Sequence, residues 1–140
     1  MEQLTKDLRC FEPGAYSELD FLVSSRESGG YELMAQWSQH VSSDDIIKKR
    51  FPMESAIQYV ILLSTESSAD ATAIEIRDSR GEKQEYEYKV SDLDRQQINL
   101  FYTPDYDDVY QISFRTINSH RARSCMYMAI MKGDKDPFEY

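Results

Sequence analysis

The feature that most constrains this chain is an alternation of apolar and charged residues with a period of two. It is clearest over residues 84–90, where Tyr86, Tyr88 and Val90 are separated by single charged residues. Successive side chains of a β-strand point to opposite faces, so this pattern predicts a half-buried antiparallel strand. We expect the two tyrosines to face the core and the charged residues between them to face water.

A second run with the same period precedes this one and predicts a hairpin. Over residues 72–78, Ile74 and Ile76 are expected to face inward, and the turn-forming residues 78–82 connect the two runs. Further alternating stretches predict more strands. Their apolar members are Leu19, Phe21 and Val23; Tyr31, Leu33, Ala35 and Trp37; Ile98, Leu100 and Tyr102; and Tyr110, Ile112 and Phe114.

Two stretches are apolar at every position instead of every second one. Residues 59–63 and 125–131 have no charged side chain, which predicts central strands that are covered on both faces. Eight strands with short connectors and no strand–helix–strand rhythm favour an all-β fold, an eight-strand antiparallel β-sandwich such as a jelly roll. We expect one such domain over residues 1–140.

One short helix is expected beside the strands. Residues 42–45 contain two serines and two aspartates, which suit the start of a helix over residues 46–50 with its basic residues at the end. Pro52 would end this helix. Such a helix would close one open end of the sandwich.

Residues 1–14 are expected to form an N-terminal arm with some mobility. Leu4, Leu8 and Phe11 are spaced as one face of a short helix, which residues 12–14 would end. The first residues lack the basic and then apolar pattern of a secretory signal. We expect a secreted or periplasmic location if a signal was removed, and a cytoplasmic one otherwise.

The charge balance argues against some classes of partner. The chain has 140 residues, with 16 Lys and Arg against 25 Asp and Glu, so its formal net charge is −9. Nucleic acids and anionic lipids need a basic surface that neutralises phosphate, and neither is expected as a partner. No apolar run reaches the roughly 18 residues of a membrane-spanning helix.

The two cysteines, Cys10 and Cys125, fit no zinc or redox spacing. In an oxidising compartment, a bridge between them would tie the N-terminal arm to the last strand. In a reducing compartment they would be two thiols, with Cys125 acting as a small apolar core residue. The sequence leaves both alternatives open.

The last third of the chain resembles a known kind of sandwich. The residues that resemble the closing strands of the GOLD domain are 110–114, Asn118, Ser119, 125–130 and Gly133. That domain is a β-sandwich of Golgi and endoplasmic-reticulum cargo receptors and of some lipid-transfer proteins. Upstream, residues 74–78 followed by Gly81 are similar to the family's strand and Asp-Pro-x-Gly turn, with Ser79 in place of proline.

This GOLD-like resemblance covers roughly residues 58–133, and the bacterial pre-peptidase C-terminal domain is similar in the same way. The sequence departs from the cargo receptors at Ser113, where they usually carry a cysteine, and it shows neither their membrane helix nor their coiled coil. The resemblance therefore implies a sandwich and a preference for protein binding, but not a role in trafficking.

An acidic loop between two predicted strands is a candidate cation site. Asp105, Asp107 and Asp108 offer the carboxylate oxygens that Ca²⁺ prefers, and Asp70 or Asp78 from a neighbouring loop would add further ligands. Their spacing does not match an EF-hand. The alternative is a solvated turn in an acidic chain, and no other cofactor is expected.

Three aromatic residues are candidates for ligand binding. Trp37, Tyr102 and Tyr106 would present flat rings to a sugar if they were exposed. The alternative is that such residues bury their rings in the core and leave only the tyrosine hydroxyls at its rim.

Catalytic residues are not predicted. His40 and His120 are the two histidines, and Cys125 with His120 would make a nucleophile and base. Cys125, however, begins an apolar strand in which a thiol stays protonated, and His120 sits in a polar stretch typical of a surface histidine. We therefore expect a non-enzymatic binding module that engages a protein partner through sandwich loops or an edge strand. A carbohydrate-binding module is the alternative, and a small enzyme ranks third.

Overall fold

A computed structural model describes residues 5–42, 45–65, 71–90, 96–117 and 124–135 of the chain, and these contain nine strands and one helix. In chain order the elements are β1 Thr5–Leu8, α1 Pro13–Ser28, β2 Glu32–Val41, β3 Ile46–Met53, β4 Ile57–Thr65, β5 Ala71–Arg77, β6 Lys83–Val90, β7 Gln96–Tyr102, β8 Asp108–Ile117 and β9 Ser124–Lys135. The described helix is not long and apolar enough to cross a membrane.

The strands form two sheets. The five-stranded sheet has the order β1-β2-β9-β4-β7, and the four-stranded sheet has the order β3-β8-β5-β6. All pairs are antiparallel except β1 with β2, which is parallel. The predicted all-β sandwich is confirmed, with nine strands in place of eight.

Two apolar clusters hold three layers together. The larger cluster lies between the sheets and contains Ile61, Ile74 and Phe114 among its fully buried members. The second cluster lies on the other face of the five-stranded sheet, where α1 packs on β4 and β9. Strands β4 and β9 therefore have a core on each side, and the prediction that both are covered on both faces is confirmed.

The helix lies where a strand was expected. Leu19, Phe21 and Val23 belong to α1, so the strand predicted from their alternation is wrong. Leu19 and Val23 are buried at helical spacing, whereas Phe21 is 70% exposed. Pro13, which was expected to end a helix, occupies the start of this one, where its missing N–H costs nothing.

The two short helices predicted on either side of α1 are also wrong. Residues 46–50 belong to β3, and Leu8 lies at the end of β1. Pro52 does not end β3, because β3 is an edge strand whose backbone tolerates a missing donor. Leu4 lies outside the described residues.

Strand β6 has its two faces the opposite way round from the prediction. Its register places Glu85 beside Ile76 and Glu87 beside Ile74, so the glutamates point to the side of the core. Tyr86 and Tyr88 point outward and are 44% and 49% exposed. The sandwich does not depend on this strand, because its other strands supply the apolar residues of the core.

Residues 5–10 contribute β1 to the five-stranded sheet and carry a disulfide. Cys10 and Cys125 are bridged, with their Cα atoms 5.9 Å apart. The amide of Cys10 donates to the Ser38 hydroxyl (3.2 Å), which donates to the Cys10 carbonyl (2.9 Å). The bridge therefore fastens the segment before α1 to the start of β9.

Candidate binding cleft

A cleft of about 890 Å³ opens between β2 of one sheet and β3 of the other. This size is typical of clefts that bind ligands, which measure roughly 300–1,000 Å³. Its floor is apolar and its rim is charged. The floor residues are Met34, Trp37, Phe51, Met53 and Tyr59, and the rim residues include Lys49, Arg50, Glu54, Asp107, Asp108 and Lys132.

A β-bulge directs one floor residue into the cleft. Leu33 pairs with Met131 and Ala35 pairs with Ile130, so Met34 is an extra residue in β2. A bulge re-aims the side chain of the inserted residue, and Met34 lines the cleft beside Trp37. The sequence gives no sign of this bulge, because an inserted methionine looks like any other apolar residue of the strand.

Strand β3 forms the other wall, and the cleft reaches around it. Phe51 and Met53 point to the core side of this strand, while Arg50 and Pro52 point away from it, and all four line the cleft. Among the described strands, β3 pairs with β8 alone. The cleft therefore lies along a sheet edge that has no described neighbour.

The loop at one end of the cleft is held by a second loop. The backbone amide of Ser55 donates to Asp107 Oδ1 (2.7 Å), and the amide of Ala56 donates to the Pro104 carbonyl (3.1 Å). Ala56 has a φ of 67°, a left-handed conformation that disfavours residues with a Cβ and is held here by these contacts. The rim of the cleft is thus fixed in place.

Cations and carboxylates are both present at the rim. The ammonium of Lys49 lies 5.4 Å from the centre of the Trp37 ring, and the ammonium of Lys132 lies 2.9 Å from a carboxylate oxygen of Glu54. Burial lowers the pKa of Lys49, Arg9 lowers it further, and Asp7 raises it. The rim has no strong excess of either sign, so it suits a ligand of low net charge.

The structure separates the three aromatic residues that were predicted to bind a ligand. Trp37 lies in the cleft floor and is 7% exposed, and Tyr102 is buried in the core against Tyr110, with ring centres 5.8 Å apart. Burial is the main cause that raises the pKa of Tyr102. Tyr106 lies in the β7–β8 loop, and its ring centre is 6.2 Å from that of Tyr110. The three rings do not form an exposed platform on which a sugar could stack.

The acidic loop uses its carboxylates to hold backbone. Asp108 Oδ2 accepts hydrogen bonds from the amide (2.9 Å) and hydroxyl (2.8 Å) of Ser79, which lower the pKa of Asp108. Asp107 holds Ser55 as described above, and Asp105 is exposed. Within the described ranges, no three His, Cys, Asp or Glu side chains lie close enough together to hold a metal ion. Asp70 lies outside those ranges.

Asp78, which the sequence predicted as a turn residue and a candidate cation ligand, holds two loops together. Its Oδ1 accepts from the amides of Arg80 and Glu82 (both 2.9 Å), and its Oδ2 accepts from the Tyr106 hydroxyl and the Gln84 amide (3.2 Å). The Tyr106 bond is the main cause that lowers the pKa of Asp78. These bonds connect the β5–β6 turn to the β7–β8 loop, whose residues Asp107 and Asp108 border the cleft.

Of the residues considered for catalysis, His40 and Cys125 are register partners on the neighbouring strands β2 and β9. Cys125 is in the disulfide and is not a free thiol. His40 is exposed on β2, and His120 lies outside the described residues.

No family model matches this chain, and no curated protein matches it. The resemblance to the GOLD domain therefore stands on the residues quoted above, without further support.

Proposed function

We propose that this chain is a non-enzymatic binding module that takes an extended apolar segment of a partner protein into the cleft between β2 and β3. The observation that supports this proposal is an apolar floor that lies directly beside the edge strand β3. Edge strands bind extended peptides by main-chain hydrogen bonds, and pockets beside the edge select alternate side chains.

The chemistry of the floor suits side chains of varied shape. Met34 and Met53 are unbranched and polarisable, so they adapt to different apolar groups. Trp37 and Phe51 add large apolar surfaces, and burial of apolar area drives association. An alternating segment would place every second side chain on this floor and leave the others in water.

Pro52 sets a limit on the docking register. Proline has no N–H, so β3 has no donor to offer at that position. We therefore expect the backbone of the partner to pair with residues 46–51 of β3. Beyond that stretch, the side chains of the partner would lie against Met53. A segment with an apolar residue at its end fits this arrangement.

Selection from a displayed library of random peptides tests the proposal. The peptides enriched on the folded protein should carry apolar residues at alternate positions. Val109→Arg, which places a charged side chain on an exposed position of the cleft wall, should weaken their binding about tenfold, since one buried apolar group contributes on the order of 1.5 kcal/mol.

Phe21→Arg is the matched control, because Phe21 is also exposed and lies on α1 on the opposite side of the five-stranded sheet. It should leave binding unchanged, and the thermal unfolding of both variants should match that of the wild type. Failure to enrich any peptide, or equal binding by the Val109→Arg variant, would contradict the proposal.

A further inference from the structure

The four-stranded sheet has an outer face that no described element covers. Helix α1 covers the other sheet, whereas the outward side chains of β3, β8, β5 and β6 are open to solvent or line shallow grooves. The strand register arranges these side chains in rows. Across the sheet, the rows are Ile46, Arg115, Ala73 and Tyr88; Lys48, Ser113, Glu75 and Tyr86; and Arg50, Gln111, Arg77 and Lys83.

This outer face is basic, although the whole chain is acidic. Its rows contain five cations and one carboxylate, and that carboxylate, Glu75, is already paired with Arg77. The Arg77 guanidinium also donates to the backbone carbonyl of Gly81 (2.7 Å). The face therefore has a positive excess within a chain whose net charge is −9.

Two shallow grooves cross the basic face and meet at its centre. Their volumes are about 190 Å³ and 240 Å³, and both are lined by Arg77 and Gln111. Each also has one carboxylate in its lining, Glu75 in the first and Asp78 in the second. The first is also lined by Ser113 and by Arg115, whose Nε is buried and has no hydrogen-bond partner within the described residues. The guanidinium groups of Arg77 and Arg115, beside a hydroxyl and an amide, are where an anionic group would gain charged hydrogen bonds.

Aromatic rings border the face on the side of β6. Tyr86 and Tyr88 lie two residues apart on one strand, roughly 7 Å from each other, and both rings are about half exposed. The ammonium of Lys83 lies 5.4 Å from the centre of the Tyr86 ring. Rings of this kind have a flat apolar surface and a polar hydroxyl, which suits a ligand with both apolar faces and hydroxyl groups.

The backbone limits what the face can recognise. Strands β8 and β5 pair with a neighbour on each side, so their N–H and C=O groups are used within the sheet. A peptide that docks as a strand needs such groups at an edge, whereas this face offers side chains alone. Its cations also extend from β3 to β6, a width of roughly 14 Å that a strand added at one edge would not span.

We infer that the outer face of the four-stranded sheet binds an acidic polysaccharide, with its carboxylate or sulfate groups on the cations and its sugar rings against Tyr86 and Tyr88. Guanidinium groups bind such oxyanions through paired hydrogen bonds. The acidic remainder of the chain does not prevent this, because charges more than about 10 Å away are largely screened at 0.1 M salt.

Affinity measurements with four defined polymers test the inference. The probes are heparin, polygalacturonate, poly-glutamate as an acidic peptide, and uncharged dextran, each titrated into the whole protein at several salt concentrations. We expect heparin or polygalacturonate to bind, with an affinity that falls as salt rises, and dextran and poly-glutamate to bind at least tenfold more weakly.

Two variants locate the site. Lys48→Glu should weaken polysaccharide binding about tenfold, as expected for the loss of a charged hydrogen bond, while Lys6→Glu makes the same charge change at an exposed residue of β1 and should have no effect. Tyr88→Ser should weaken binding without changing its salt dependence. Thermal unfolding of each variant shows that it is folded.

Three results would overturn the inference. They are no binding of either acidic polysaccharide, equal binding by the Lys48→Glu variant, or poly-glutamate binding as tight as the polysaccharides with no effect of Tyr88→Ser. The last result would identify an acidic peptide as the ligand. None of these results bears on the cleft between β2 and β3, whose test uses other variants and probes.

Discussion

At the scale of single residues, Asp78 and Gly133 each occupy a position that other residue types would not fit. Asp78 accepts from the amide of Glu82 in its own turn, from the side chain of Gln84 in β6 and from Tyr106 in the β7–β8 loop. Gly133 lies where any Cβ would be 2.7 Å from the ring of Tyr31 and 2.8 Å from the carbonyl oxygen of Gln58. One residue is fixed by its hydrogen bonds and the other by the space around it.

Replacing Asp78 by asparagine should lower the free energy of unfolding at neutral pH, because an amide cannot accept all of these bonds. The folded-state pKa of Asp78 is lowered from 3.8, so the ionised carboxylate stabilises the fold above about pH 4 and this stabilisation is lost as pH falls through the lowered value. Urea unfolding from pH 7 to pH 2 measures the effect. The difference between wild type and variant should shrink below pH 4, and Asp105→Asn should show no such difference. A difference that persists unchanged at pH 2 would contradict this account.

Replacing Gly133 by alanine should destabilise the fold by about 1–3 kcal/mol, the usual range for overpacking. Gly29→Ala is the control, because its Cβ would lie 3.4 Å from the nearest backbone atom. Chemical denaturation of the two variants compares them directly. Equal stability of both would show that the close approach at Gly133 is not present.

At the scale of elements, strand β6 is protected from pairing with other chains by its own charges. Edge strands invite another strand, and charged side chains on the core side make such pairing costly. In β6, Glu85 and Glu87 are the charged residues on the core side of the strand. The alternation that predicted the strand was correct, but the sequence does not say which face of an edge strand lies over the core.

Replacing both Glu85 and Glu87 by valine should make the protein self-associate, because the edge of β6 then offers an apolar surface on its core side. Light scattering after size-exclusion chromatography measures the mass over a range of concentrations. Replacement of Tyr86 and Tyr88 by threonine, on the other face of the same strand, should leave the mass unchanged. A valine variant with the mass of the wild type at all concentrations would contradict this role.

The apolar pattern of the sequence predicted a strand correctly where that strand has a neighbouring strand on each side. The continuous apolar runs predicted β4 and β9 correctly, and alternation placed Ile74 and Ile76 of β5 correctly. The prediction failed where it depended on only a few residues. Three apolar residues at 19, 21 and 23 fit a strand, but Leu19 and Val23 also fit one face of a helix. The cleft was not predictable, because it depends on which strand edges the topology brings together. Trp37 alone of the expected ligand-binding residues lines it.

At the scale of the whole molecule, one covalent link joins the helical layer to the sandwich. The bridge between Cys10 and Cys125 spans 115 residues of sequence. It fastens the segment before α1 to β9, a central strand that packs on both cores. Disulfides of this kind form in oxidising environments, so the chain is expected to fold in such a compartment.

Replacing both cysteines by alanine should reduce the free energy of unfolding by about 2–5 kcal/mol, because the unfolded chain loses a long-range constraint. Urea unfolding of the variant and of the wild type measures the loss. Reduction of the wild type with dithiothreitol should reproduce most of it. A variant as stable as the wild type would contradict a structural role for the bridge.

The proposal that β3 and the neighbouring cleft hold a segment of a partner protein is tested most directly by hydrogen–deuterium exchange with a peptide from the library selection. The account predicts slower exchange of amides in Ile46–Met53 and around Met34 when the peptide is bound, and unchanged exchange in β6. Slower exchange confined to β6 or α1, with none at β3, would contradict it.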